Sequence, residues 1–312
     1  MTETECGVMG RSDCGHRRVT AYRMVDLALR YACRLLPPAE WIERCALWWG
    51  VRYRPAPRVV RLRSGPSMLV DPTDYLQSII YYFGAFEPHC LRLVQRCLGE
   101  GSVFLDVGAN IGVYTLTAAA AVGRGGRVVA IEAAPTNVKL LQDNIGRNGF
   151  SQVTVVAVAV GSDPGTAVIR RPTGGNRGMF TLGQVDGVDE ASVPVRRLDA
   201  VLSEQQCSNV DVVKMDIEGS EYRALQGATD LVRRCLPTFF LEINDSALRA
   251  CGSSATDVKE LLNDAGYQGW IIGRRGLTRI EAGMEHRCDE CLFVHPNRPA
   301  HWRCLGLGLP QS

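Results

Sequence analysis

Residues 103–112 read Val103-Phe104-Leu105-Asp106-Val107-Gly108-Ala109-Asn110-Ile111-Gly112. An apolar run that ends in an acid and breaks into a glycine turn is the pattern of a buried strand whose C-terminal edge meets a ligand, with a helix opening directly after it. Four more runs of this kind follow: RVVAIE at 127–132, VTVVAVAV at 153–160, VDVVKMD at 210–216 and TFFLEIN at 238–244. They are rich in Val and Ile, nearly continuous, and spaced widely enough for intervening helices such as 137–147 and 221–232. Strands apolar on both faces and alternating with helices predict a parallel sheet in an α/β domain. Residues 163–197, rich in Gly and Arg, read as an inserted hairpin or loop, 256–266 as a further helix and 291–295 as a last strand.

Upstream, residues 1–18 are polar and basic and read as a disordered leader. Val19, Tyr22, Val25, Leu29, Ala32, Cys33 and Leu36 recur at helical spacing with Arg23, Arg30 and Arg34 between them, until Pro37-Pro38 stops the helix. The cluster Trp41, Ile42, Leu47, Trp48 and Trp49 follows. Such a helix suits a cap on its own domain, with peripheral contact to a membrane surface as the alternative. Residues 59–70 suggest a hairpin, and 76–98 a helix interrupted at Gly84 and Pro88. The expected organisation is a leader at 1–18, a helical cap region at 19–98, the α/β domain at 99–296 and a tail at 297–312.

The chain has 312 residues, 46% of them apolar, enough for one sizeable domain with an appendage or for two modest ones. Its 35 Lys+Arg and 33 Asp+Glu leave a charge of +2, so no global field steers it toward nucleic acid. No run approaches the roughly 20 apolar residues of a membrane span. The N-terminus lacks the apolar core of a signal peptide, and a cytoplasmic location is expected. The 12 cysteines are irregularly spaced, which suggests thiols rather than a disulfide framework.

A dinucleotide site needs G-x-G-x-x-G, whose middle glycine lets the backbone touch a pyrophosphate. Here the turn is G-x-x-x-G, with Asn110 at the critical spot. An acid closing the first strand favours a ligand with positive charge, and Glu132, closing the second, can accept both hydrogens of a ribose diol. A nucleoside with ammonium and sulfonium groups and no phosphate describes S-adenosylmethionine.

The series DVGANIGVYT at 106–115, EAAPTN at 132–137 with Asn144 after it, VPVRRLDAVL at 193–202, KMDIEGSE at 214–221 with LQGA at 225–228, and LEI at 241–243 resembles the FkbM-like family of methyltransferases. The resemblance covers about residues 75–296 and departs from the family pattern at Ala133, where a proline is usual. It implies a Rossmann-like class I methyltransferase fold: a mostly parallel seven-stranded sheet, its last strand antiparallel, with helices on both faces. It also implies an S-adenosylmethionine-dependent O-methyltransferase acting on a hydroxyl of a saccharide, glycolipid or polyketide-type metabolite. Asp106, Gly108, Asn110 and Gly112 would then surround the amino-acid end of the cofactor and Glu132 its ribose, with Ala159 and Val160 lining the adenine. The rivals are an NAD-dependent oxidoreductase and a non-catalytic protein that keeps the fold.

Methylating a hydroxyl calls for alignment and a base. Lys214, Asp216 and Glu218 share one side of an extended strand, which makes Asp216 the first candidate for the base and Glu218 a second. Glu221 reads instead as a helix-start carboxylate. His89 of Glu87-Pro88-His89 is a third candidate, against the commoner reading of a surface histidine. Asp216, Glu242 and Asn244 offer oxygen ligands that suit magnesium, but oxygens gather at strand ends for many reasons, so no metal is assigned. Cys288-x-x-Cys291, near His286, His295, His301 and Cys304, is a weak zinc pattern without a second matched pair. Arg170, Arg171, Arg177, Arg196 and Arg197 belong either to an acceptor pocket or to a solvated loop.

Overall fold

The computed structural model describes residues 24–34, 48–49, 52, 55–172, 187–281, 284 and 289–308. The expected leader, the cluster Trp41, Ile42 and Leu47, and Arg177, His286 and Cys288 fall outside them. The chain divides into two compact units, Met1–Val60 with Leu69–Phe86, and Arg61–Met68 with Glu87–Ser312.

In the smaller unit, residues 24–34 are helical, as their periodicity predicts. Helix α1 (Tyr75–Phe83) starts at Asp74, whose side chain accepts from the Gln77 amide, and stops at left-handed Gly84. Its Tyr81 and Tyr82 hydroxyls donate to the two oxygens of buried Asp26, at 2.5 and 3.1 Å. Burial and the Asp26 carboxylate push the Tyr81 phenol up to about 12.

Strands β1 (Arg58–Arg61) and β2 (Ser67–Val70) form a two-stranded sheet. The larger unit then begins with α2 (Pro88–Cys97) and alternates: β3 (Val103–Val107), α3 (Val113–Val122), β4 (Arg127–Ile131), α4 (Pro135–Asn148), β5 (Val153–Val156). After an insertion come α5 (Leu198–Glu204), β9 (Val212–Met215), α6 (Glu221–Gln226), β10 (Thr238–Ile243), α7 (Asp245–Ala250), α8 (Ala255–Asp264), β11 (Gln268–Gly273), β12 (Gly276–Arg279), β13 (Asp289–Val294) and α9 (Pro299–Leu305). Strand β10 is parallel to β9, β9 to β3, β3 to β4 and β4 to β5, whereas β13 runs antiparallel between β10 and β11. This is the class I methyltransferase topology.

Among the described residues the sheet has eight strands rather than the expected seven. The extra one, β12, folds back on β11 through the two-residue turn Arg274-Arg275 between paired Gly273 and Gly276. The left-handed backbone falls just after the two arginines, at Gly276 (φ +133°), a conformation that glycine adopts without steric cost. Neighbouring Val212 and Val213 point to opposite faces of β9 and are both fully buried, so the sheet is covered on both sides. Each such side chain contributes about 1.5–3 kcal/mol of apolar burial.

The insertion is a hairpin, as expected. Strands β7 (Gly165–Pro172) and β8 (Gly187–Arg196) pair antiparallel, and β6 (Ala159–Val160) adds to β8 in parallel.

Candidate active site

The turn after β3 is held from beneath. Gly108 (φ +85°) and Gly112 (φ +101°) occupy left-handed backbone, and a β-carbon on Gly108 would lie 1.9 Å from the Asp216 carbonyl oxygen. Asn110 adopts φ +50°, and its side-chain oxygen accepts from the Ile111 amide at 2.8 Å. Buried Asn144 on α4 donates to the Ile111 carbonyl at 3.0 Å. The Asp106 carboxylate, 2% exposed, accepts from the Thr115 hydroxyl at 2.5 Å. Burial pushes it up to about 7, against the pull of Thr115 and Lys214.

Glu132, just past β4, accepts from the Asn110 amide at 2.8 Å and the Ala134 amide at 2.9 Å, with Asn137 at 3.5 Å. Burial raises its pKa, and these donors oppose the rise. A carboxylate offers about four lone-pair sites, and these three donors take most of them. The turn does not fit a pyrophosphate, because its Asn110 amide is committed to a carboxylate.

Lys214 on β9 lies in register with Asp106 on β3 and is 1% exposed. Its ammonium donates to both Glu290 oxygens at 3.0 and 3.2 Å and lies 3.7 Å from Glu87 and 3.8 Å from Asp216. The Tyr114 ring centroid is 5.2 Å away. Burial alone would lower the lysine pKa, but Glu290, Glu87 and Asp216 outweigh it and raise it well above the ordinary value. Glu87 stands in left-handed backbone (φ +44°) at the start of α2 and accepts from the Tyr114 hydroxyl at 2.7 Å. Burial pushes Glu87 up to about 8 despite Lys214.

Strand β9 ends at Met215, and Glu218 takes φ +52°, so strand alternation does not carry Glu218 to the side of Asp216. The turn does. Oxygens of Asp216, Glu218 and Glu242 all lie within 4.8 Å of one another. Burial and the neighbouring carboxylates of Asp216 and Glu221 push Glu218 up to about 8. Asp216 is 28% exposed, hydrogen-bonds Glu242, and is raised by burial and Glu290 against the pull of Lys214.

Other expected residues go elsewhere. Asn244, expected with Asp216 and Glu242, caps α7 by accepting from the Ala247 amide at 3.2 Å, and the third oxygen beside Asp216 and Glu242 comes from Glu218. Glu221 accepts from the Ile217 and Gly219 amides at 3.0 and 3.3 Å, the helix-start role expected of it. His89 pairs with Arg92, Nδ1 to Nη2 at 3.1 Å; burial, Arg92 and Arg274 lower its pKa. Ala159 and Val160 are buried in β6 against β8, with Ala159 packed in a cluster with Ala134, beside Glu132. Arg197 donates to the Ser162 carbonyl at 2.7 Å and Arg196 pairs with Glu204. Among the described residues the zinc pattern does not assemble: Cys291 lies in β13, His301 meets Thr238 at 2.6 Å, and Cys304 meets Cys97. The partners of Lys214 are what sequence reasoning missed. Its presence mid-strand was the available signal, since a buried cation needs counter-charges.

The family model of the FkbM methyltransferase domain matches residues 106–268. The chain belongs to the FkbM methyltransferase family. The family match places the chain among methyltransferases rather than dinucleotide-dependent oxidoreductases. It is 27% identical over 207 residues to the AMB antimetabolite synthetase AmbE of Pseudomonas aeruginosa, a match covering 55% of this chain and 10% of that protein. The chain thus spans about a tenth of the length of this curated relative. The solved FkbM methyltransferase of Methylobacillus flagellatus is 21% identical, with a TM-score of 0.41 over 89% of this chain and 59% of that one. An O-methyltransferase from Bacillus cereus, solved with SAH, is 15% identical, with a TM-score of 0.38 over 89% of this chain and 99% of that one. Among the described residues no helix is long and apolar enough to cross a membrane.

Proposed function

We propose that this FkbM-family protein methylates a hydroxyl oxygen of a small molecule of the saccharide, glycolipid or polyketide type. Asp106, Gly108, Asn110 and Gly112 would hold the amino-acid end of S-adenosylmethionine, and Glu132, beside that turn and bonded to the Asn110 amide, its ribose. Bound there, the cofactor supplies a methyl carbon on a sulfonium sulfur. The chain's own task is to align the acceptor oxygen and take its proton.

One observation carries the reading: Asp216 is partly exposed, and its backbone carbonyl packs against Gly108 of the cofactor turn. Burial raises its proton affinity above that of an ordinary carboxylate, the direction a general base needs. Lys214, 3.8 Å away, would steady the carboxylate in its charged form. Glu218, raised to about 8, would hold a proton there at neutral pH and so could donate a hydrogen bond to the acceptor. His89, tied to Arg92, is the weakest of the three expected catalytic residues. The test is transfer of a labelled methyl group to a panel of hydroxylated sugars, glycolipids and polyketides, with the site of methylation assigned by mass spectrometry. Methylation on nitrogen or carbon alone would overturn the proposal.

The close approach of Asp216, Glu218 and Glu242 favours a second reading, in which these oxygens hold magnesium and polarise the acceptor hydroxyl. Turnover unchanged by EDTA would remove it.

A further inference from the structure

Helix α2 ends at Cys97, and Cys304 is the next-to-last residue of α9. Their sulfurs lie 3.8 Å apart, although 207 positions separate them in the chain. An S–S bond is about 2.05 Å long, so closure asks for about 1.8 Å of approach at two helix ends, where backbone hydrogen bonding is already incomplete.

The juxtaposition is built by other contacts. Arg298, at the start of α9, pairs with Asp211 at 2.9 Å and donates to the Val210, Cys235 and Leu236 carbonyls. The His301 ring joins Thr238 on β10 to the backbone of Cys97, and the Trp302 indole donates to the His295 carbonyl at 3.0 Å. These bonds hold the two sulfurs together before any bond forms, the condition under which an intramolecular displacement outruns its intermolecular rivals.

We propose that Cys97 and Cys304 are a paired oxidation site that closes reversibly to a disulfide when the protein meets hydrogen peroxide. Cys304 is the attacking sulfur. It is the more exposed of the two, and its hydrogen bond with Cys97, with help from Arg96, lowers its thiol to about 7. The same hydrogen bond and burial raise Cys97 far above the usual thiol range. A thiol that titrates near ambient pH is the effective nucleophile.

The Cys304 thiolate attacks one peroxide oxygen and breaks the O–O bond, and the departing hydroxide takes up the thiol proton as water. The resulting Cys304 sulfenic acid is attacked by the Cys97 sulfur. The S–O bond breaks, and hydroxide leaves with the Cys97 proton as a second water. Two thiols lose two electrons in total, and one peroxide becomes two waters.

Cys97 and Cys304 each follow an arginine, Arg96 and Arg303, so tryptic peptides begin at both. Treatment of the full-length protein with hydrogen peroxide is expected to cross-link those two peptides with a loss of about 2 Da, reversed by dithiothreitol. C304S is expected to show no such cross-link, and the wild-type map decides the matter even if that variant folds poorly. Cross-linking of Cys97 to another cysteine, or oxidation of Cys304 to sulfinic acid with no cross-link, would overturn the proposal.

Discussion

The carbonyl oxygen of Asp216 packs against the α-carbon of Gly108 so closely that a β-carbon would come within 1.9 Å of it. The glycine that the sequence offers as a cofactor contact is therefore also where β9 leaves the sheet against β3. Gly108→Ala must move this backbone and also hold an alanine at φ +85°. The expected cost is about 2–4 kcal/mol of stability, combining overpacking with backbone strain. Urea unfolding measures it, and a variant as stable as wild type would contradict the packing.

Lys214 carries a second prediction. It is 1% exposed, with Glu290, Glu87 and Asp216 around it. Lys214→Met removes the cation and leaves buried carboxyls facing one another, at a cost of about 3–5 kcal/mol. Adding Glu290→Gln should recover part of this loss, because the pair is coupled. Additive losses in the double variant would mean that the contact at 3.0 Å carries little energy.

What the sequence made legible follows from burial. The runs at β3, β4, β9 and β10 are covered on both faces, so their residues are almost all apolar, and their short length, Val and Ile content and flanking turns mark them as strands. The β11–β12 hairpin escaped because its turn, Gly273-Arg274-Arg275-Gly276, is polar and its second strand is mostly exposed. The glycine turn and Glu132 were readable because one local segment supplies each. The lysine cluster was not: Glu290 lies 76 positions from Lys214, and Glu87 reaches it from the start of α2. Only the folded sheet sets such pairs side by side.

A pH dependence follows from Glu87. Burial raises its folded-state pKa to about 8, against an ordinary value of 4.5. The fold thus prefers the protonated carboxyl, and this contribution is present in full below about 4.5 and is lost as pH rises through 8. Stability should fall between pH 6 and pH 8.5, and Glu87→Gln, which mimics the neutral form, should flatten that fall. Thermal midpoints at the two pH values check it, and an equal fall in both proteins would rule Glu87 out as the source.

Glu132 separates binding from folding. Its carboxylate accepts from the Asn110 and Ala134 amides while facing the proposed ribose site. Glu132→Ala removes both the anchors and the ribose acceptor, and SAH affinity should fall about 10- to 100-fold, as expected for one charge-assisted hydrogen bond. Glu132→Gln keeps the shape and one acceptor oxygen and should lose less. Calorimetric titration of both variants with SAH gives the comparison, and wild-type affinity in Glu132→Ala would refute the cofactor assignment.

Asp216→Asn tests the proposed base. The amide has the size of the carboxyl and can still accept from Lys214, so the backbone at Gly108 and the cofactor turn should persist and SAH affinity should change little. Turnover with an identified acceptor should fall about 100- to 10,000-fold, the usual contribution of a positioned base. Since the lost group is titratable, its limb of the pH–rate profile should vanish with it. A variant slowed at low pH but restored at high pH would assign the proton to another group, and Glu218, within 4.8 Å, is the nearest alternative.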